Sequence, residues 1–386
     1  MTRRDVNQRL LTPAFLLSFA ANFLQSLAFM LFVHLPGFLQ ALGADAVQIG
    51  LIFGMTALAA IVSKPPVGHV MDARGRRTVI IAGGLLNVAV CLLYLTVDHL
   101  GPWLYAVRIG HGIAEAMLFA ALFTHAADLV PPGRRTEGIA LFGVSGLLPM
   151  SLGGLLGDLV LARGDYGDLF AIATGLALVS LLLSLPLRDH PRAADDLPPR
   201  GFLFAAAQRD LLPLWFIGTV FATALAAPFT FIKTFILATG IGSVGLFFSA
   251  YSVAAILLRV FLGWVPDRVG PTRTLYPALG LLAGGFAVLA GATQAREVAV
   301  AGALCGLGHG FTFPILSGLV VTRARPAERG AAMALFTALF DAGVLIGSPL
   351  FGAVIRASGY PAMFLTAAGV LVAGALGFAV WDRRVR

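Results

Sequence analysis

The sequence predicts an all-α membrane protein whose twelve transmembrane helices form two pseudo-symmetric six-helix bundles. Three observations carry this. The 386-residue chain is 58% hydrophobic and only 12% charged, against about 25% charged residues in a soluble domain, and its mean hydropathy is +0.89. Its apolar residues gather in runs near the roughly 20 residues that one helix needs to cross a ~30 Å hydrocarbon core. Short motifs also recur half a chain apart. GHVMDARGRR at 68–77 is answered by GWVPDRVGPTR at 263–273, RIGHGIAEA at 108–116 by GLGHGFTFP at 306–314, and Ala140-Leu141-Phe142 by Ala334-Leu335-Phe336. Three matches in one order at nearly one offset indicate an internal duplication, a common feature of transporters.

Taken in order, the spans are 10–33, 46–68, 78–98, 103–126, 138–160, 168–187, 211–235, 243–265, 274–293, 297–321, 331–354 and 361–381. The first is too long for the apolar segment of a signal peptide and further spans follow it, so it reads as a membrane helix. The second ends on Lys64-Pro65-Pro66, where the lysine can snorkel to the surface. Residues 78–97 supply a full span without a charge; so do 169–187 and 274–293. The fourth span holds Arg108, His111 and Glu115, and the fifth GVSGLLPMSLGG at 143–154. Residues 188–210, with eight charges and three prolines, read as a cytoplasmic linker between an N-terminal bundle, 1–187, and a C-terminal bundle, 211–386. Beyond it, the seventh span lines up Thr219, Thr223, Thr230 and Thr234, the eighth holds Ser252 and Arg259, the tenth His309 and the eleventh Asp341.

The formal charge of +8 does not point to nucleic acid, because the basic residues are dispersed among short gaps. With the N-terminus inside, the outer loops hold only Arg163, Arg296 and Arg356, and Lys64, Arg108, Lys233 and Arg259 fall within spans. All other basic residues lie in cytoplasmic segments. The positive-inside rule then sets both termini in the cytoplasm. Cys91 and Cys305 sit in different apolar runs and read as packing residues rather than a disulfide. Neither a metal-ligand spacing nor a Gly-rich phosphate loop with lysine occurs. No cofactor is expected, an enzyme is not expected, and the energy must come from an ion gradient.

An ionisable group inside a bilayer costs roughly 2.5–3.5 kcal/mol on insertion scales and points to function. Glu115 lies mid-span, with His111 one turn and Arg108 two turns before it on the same face. Arg108 and Glu115 are about 10 Å apart along the axis, so His111 is placed to bridge them. Glu115 and Asp341 are the candidate proton carriers, with Arg108 and His111 as their modulators. Asn22 and Gln25 on the first helix, Thr219 and Thr223 on the seventh, Arg259 and His309 are candidates for a mildly polar substrate cavity. The two charged motifs fall between helices 2 and 3 and between helices 8 and 9. There, acid–base pairs from Gly68, Asp72, Arg74, Gly75 and Arg76, and from Asp267 and Arg268, are expected to form a cytoplasmic gate.

These residues resemble the major facilitator superfamily of secondary transporters. The superfamily loop signature Gly-x-x-x-Asp-Arg-x-Gly-Arg-Arg/Lys is met by Gly68, Asp72, Gly75, Arg76 and Arg77, with Ala73 in place of the first arginine and Arg74 beside it. The second copy keeps Gly263, Asp267, Arg268 and Gly270. Arg108-x-x-x-Gly112 resembles the second motif, and 143–154 partly resembles the antiporter motif, with Pro149 displaced from the glycine. The resemblance implies that helices 1, 4, 7 and 10 line a central cavity, with helices 3, 6, 9 and 12 outside it. The expected protein is a monomeric, proton-coupled transporter of the bacterial inner membrane. It exports a small amphipathic or sugar-like compound by alternating access. The second reading is proton-coupled import of a small nutrient, anionic if Arg108 and Arg259 both face the cavity.

Overall fold

The computed structural model describes residues 10–131, 134–189, 202–325 and 328–385. Among these, eleven helices are long and apolar enough to cross a membrane. In chain order they are α1 (Pro13–Leu31), α2 (Ala46–Arg74), α3 (Arg76–Leu93), α4 (Pro102–Leu129), α5 (Arg135–Leu161), α6 (Tyr166–Ser184), α7 (Leu212–Thr239), α8 (Val244–Leu262), α9 (Pro271–Ala290), α10 (Ala295–Arg323) and the helix Arg329–Val385. The last is broken by the non-helical Gly359, at φ 81°. Its part before that glycine is here α11 and its part after it α12, so the twelve expected spans are present.

Local chemistry sets the ends. Thr12 caps α1 by accepting from the Phe15 N–H at 3.2 Å, ahead of Pro13 at the first helical position, where a missing N–H is harmless. Asp165 and Asp168 form a reciprocal box at the start of α6, and Gln294 with Glu297 does the same for α10. Gly240, left-handed at φ 69°, closes α7 where a side chain would be strained. One boundary differs from expectation. The helix expected to stop at residue 68 runs through Pro65-Pro66 to Arg74, and the chain breaks only at Gly75, at φ 88°. The apolar pattern ends near residue 68, but the helix continues to the glycine that breaks it.

The described residues fall into two compact units, one within Met1–Leu35 and Ala59–Ala194 and the other within Pro36–Leu58 and Asp195–Arg386. In the first, α1 packs on α5 and α6, and α3 on α4 and α6. The second repeats this scheme six helices later. Gly347 of α11 sits over the α7 backbone and Gly377 of α12 against Phe216 of α7, α9 packs on α10, and Tyr276 of α9 meets Phe378 of α12 at 6.3 Å between ring centres. The first half of α2 belongs to the second unit, where Gly50 lies on the Ser348 carbonyl and Gly352 on the Ala46 carbonyl.

Small residues set the helix spacing. On α10, Gly302 and Gly306 lie on the α8 backbone, and Gly308, on another face, on α9. Lipid tails are as apolar as leucine, so association inside a bilayer rests on such close packing. A Cβ added at Gly306 would stand 2.7 Å from the Tyr251 carbonyl carbon, a main-chain atom that cannot swing aside. We expect Gly306→Val to destabilise the second unit by about 3 kcal/mol, read as a lowered thermal unfolding midpoint in detergent; Gly280→Val, where nothing lies within 4 Å, leaves the midpoint in place.

Candidate functional site

α4 carries Arg108 and His111 at successive turns of one face, 3% and 1% exposed. Tyr94, from the turn that follows α3, joins them. Its hydroxyl accepts from Arg108 Nη1 at 3.1 Å and lies 3.1 Å from His111 Nδ1. Arginine can only donate, so the hydroxyl oxygen accepts from Arg108, while the direction of the His111 contact follows the imidazole tautomer. Phe32 packs on both rings, 4.8 Å from Tyr94 and 4.4 Å from His111, and Phe29 adds an edge contact at 5.9 Å. Glu115, one turn further along α4, is half-buried. Tyr94 thus joins Arg108 to His111.

The second unit builds a similar group from other helices. The Tyr251 hydroxyl, on α8, pairs with Nδ1 of His309, on α10. Arg259, two turns beyond Tyr251, donates from Nε to the Gly310 carbonyl at 3.2 Å. Phe221 and Phe313 flank the His309 ring at 5.3 and 6.1 Å. Each unit thus holds a histidine whose Nδ1 faces a buried tyrosine, with an arginine in the same group. Sequence reasoning missed both tyrosines, because nothing in local spacing marks a partner contributed by another helix.

The other polar candidates are bound into packing. Gln25 accepts from Asn87 of α3 at 3.0 Å, and Asn22 donates to Ser145 of α5 at 2.7 Å, so both tie α1 to its neighbours. Thr219 and Thr223 bond back to the carbonyls of Trp215 and Thr219, and their backbone lies beneath Gly343 and Gly347 of α11. Asp341 is half-buried on α11. One turn earlier, Thr337 donates to Ala334; two turns later, Ser348 pairs with Thr230 of α7 at 2.9 Å.

At the charged motif of the first unit, two acids from outside the motif make close contacts. Arg76 Nε lies 3.0 Å from Asp128 at the end of α4, but only 3.9 Å separates its Nη1 from Asp72, whose side chain is 70% exposed. The Nε–H is not aimed at the Asp128 oxygen, so this contact is ionic rather than an aligned hydrogen bond. Asp189, following α6, accepts from the Arg77 N–H at 2.9 Å and so caps the start of α3. Arg77 Nη2 returns to the Leu185 carbonyl at 3.1 Å. Gly75 leaves the space that the Asp189 carboxylate fills. Gly68 has nothing within 4 Å of a Cβ position, and Arg74 is exposed.

The second copy is arranged differently. Asp267 and Arg268 are exposed in the short helix Val265–Val269, and Arg268 lies over the Trp264 ring at 4.8 Å. At the ends of α10 and α12, Arg323 and Asp382 form an ion pair 2.6 Å apart, both largely buried. Asp382 ends α12 as Asp189 follows α6, at the offset of the internal repeat. That recurrence was a readable signal for both acids.

Two units with one helix-pairing scheme, each with a buried polar cluster inside membrane-spanning helices, define a multi-pass secondary transporter. A family model described as Major Facilitator Superfamily matches residues 14–293 and 214–386, and the chain belongs to that superfamily. It is 28% identical over 355 residues to the uncharacterized MFS-type transporter YhhS of Salmonella typhimurium strain LT2, covering 89% of this chain and 85% of the relative. It is 24% identical over 370 residues to the staphylopine export protein of Staphylococcus aureus strain Mu50, covering 92% and 91%. The fold matches the POT family transporter PepTSo with a TM-score of 0.82 at 12% identity, over 96% of this chain and 98% of the other. It matches nucleoside transporter NupG with a TM-score of 0.73 at 16% identity, over 95% and 98%. These relatives are transporters, not enzymes, so the partners of this chain are a small-molecule substrate and the bilayer.

Proposed function

We propose that the protein is a proton-coupled exporter of a small amphipathic or sugar-like compound, working as a monomer by alternating access with both termini in the cytoplasm. The observation that supports it most is Glu115, a carboxyl group inside a membrane-spanning helix one turn from the buried Arg108–Tyr94–His111 group. Its residence there is costly and calls for a function that needs a titratable group. Asp341, half-buried on α11, is the second candidate carrier. The export direction draws on the partial antiporter motif of α5 and on the exporter among the relatives. The arginine-rich loops support the bacterial inner membrane and this orientation.

Import of a small anionic nutrient is the second reading, favoured by the intramembrane Arg108 and Arg259. One experiment separates them. Compounds that raise the unfolding midpoint of the purified protein, screened across drugs, sugars and organic anions, are loaded into proteoliposomes of known protein orientation under an imposed pH or sodium gradient. Export coupled to protons predicts substrate and proton fluxes of opposite direction. Fluxes in the same direction indicate the importer, and flux that follows sodium alone rejects proton coupling.

A further inference from the structure

The second unit contains a cavity of about 320 Å³ that no transport argument uses. It lies at the last turn of α10, on the end of the unit where the loop arginines gather. Phe204 of the short helix Phe202–Ala206 lines it with Gln208, Arg209, Asp210, Arg323 and Arg325. Two features set its chemistry. Arg209 and Arg325 have no carboxylate partner among the described residues. Arg325 is held over the Phe204 ring at 4.9 Å, and Arg323 is already matched by Asp382, with its Nη1 also on the Asp210 carbonyl at 3.3 Å. Second, Gln208 Nε2 and Arg323 Nη2 are buried donors that no protein acceptor meets. The amide orientation of Gln208 is fixed, because its oxygen takes the Arg325 N–H at 3.4 Å, which a nitrogen could not do.

Buried donors are rarely left without an acceptor. A cavity lined by two exposed guanidinium groups without a carboxylate partner, and by two residues that each keep a buried N–H donor unmet, suits an anion with several acceptor oxygens. Guanidinium forks match phosphate oxygens in particular, and basic pockets at helix ends take the head groups of anionic lipids. We propose that this cavity is a binding site for a phosphate-bearing anion, separate from the transport site: either the head group of an anionic phospholipid or a soluble phosphate. Asp210 lies on the rim with its side chain exposed, and Asp382 is engaged by Arg323, so neither carboxylate occupies the centre.

The test uses the full chain, with thermal unfolding as the readout. Phosphatidylglycerol is titrated into phosphatidylcholine nanodiscs, and inorganic phosphate is titrated separately into detergent. The midpoint rises with at least one probe. A response to phosphatidylglycerol alone assigns the site to lipid; a response to inorganic phosphate assigns it to a soluble anion. Arg209→Gln with Arg325→Gln requires on the order of tenfold more of the active probe. Gln208→Glu keeps the acceptor for the Arg325 N–H and supplies an internal anion, so it abolishes the response without loss of fold, and it serves if the double variant does not fold. No response from either probe, or equal responses in wild type and Gln208→Glu, overturns the proposal.

Discussion

Replacing Glu115 with glutamine abolishes uphill transport driven by a pH gradient and leaves substrate exchange across the membrane intact. Glutamine keeps the size and hydrogen-bonding reach of the side chain but cannot load or release a proton. A carrier without its proton can still bind substrate and reorient, so counterflow persists while net accumulation stops. The measurement is paired assays in proteoliposomes, one of pH-driven uptake and one of equal-pH counterflow. Retained pH-driven accumulation removes Glu115 from the coupling step and moves attention to Asp341, for which Asp341→Asn is the matched variant. Loss of both activities with a lowered unfolding midpoint would make Glu115 a packing residue. The contrast with Tyr94→Phe sharpens this. That change removes the hydroxyl that Arg108 and His111 both contact, at about 1–3 kcal/mol, and its first readout is stability.

Periodicity reveals residues that share a helix, and that is why much of this protein could be read in advance. Hydrophobic runs located the twelve spans, because bilayer thickness imposes their length. The duplication was legible from His111 and His309 and from the paired glycine–aspartate motifs. The alignment of Arg108, His111 and Glu115 also followed from one helix alone. Contacts between helices were not legible. Nothing near His111 announces Tyr94, and Asp128 and Asp189 reach the first motif from the ends of α4 and α6. Asp72 belongs to the motif and is largely exposed, and Arg76 has a nearer acid in Asp128. The partners of Gln25 and Asn22, Asn87 and Ser145, were hidden in the same way because they lie on other helices.

Gly75→Ala is expected to destabilise the α2–α3 junction by about 2–5 kcal/mol. Two causes act together. At φ 88° and ψ 164° the backbone occupies a region that is essentially reserved for glycine. The added Cβ would also stand 2.7 Å from the Asp189 carboxyl carbon, displacing the group that caps α3 through the Arg77 N–H. Asp189→Ala loses the cap alone, for about 0.5–2 kcal/mol. In the double variant the clash is gone and only the backbone strain and the lost cap remain, so the combined cost falls short of the sum of the two single costs. Unfolding midpoints of the four proteins close this cycle. Strict additivity would mean that Asp189 does not occupy the space left by Gly75. Asp72→Asn is the internal control: with its side chain 70% exposed and 3.9 Å from Arg76, it shifts the midpoint by no more than an exposed ion pair can, about 0–1 kcal/mol. A drop as large as that of Gly75→Ala would return Asp72 to the centre of the junction.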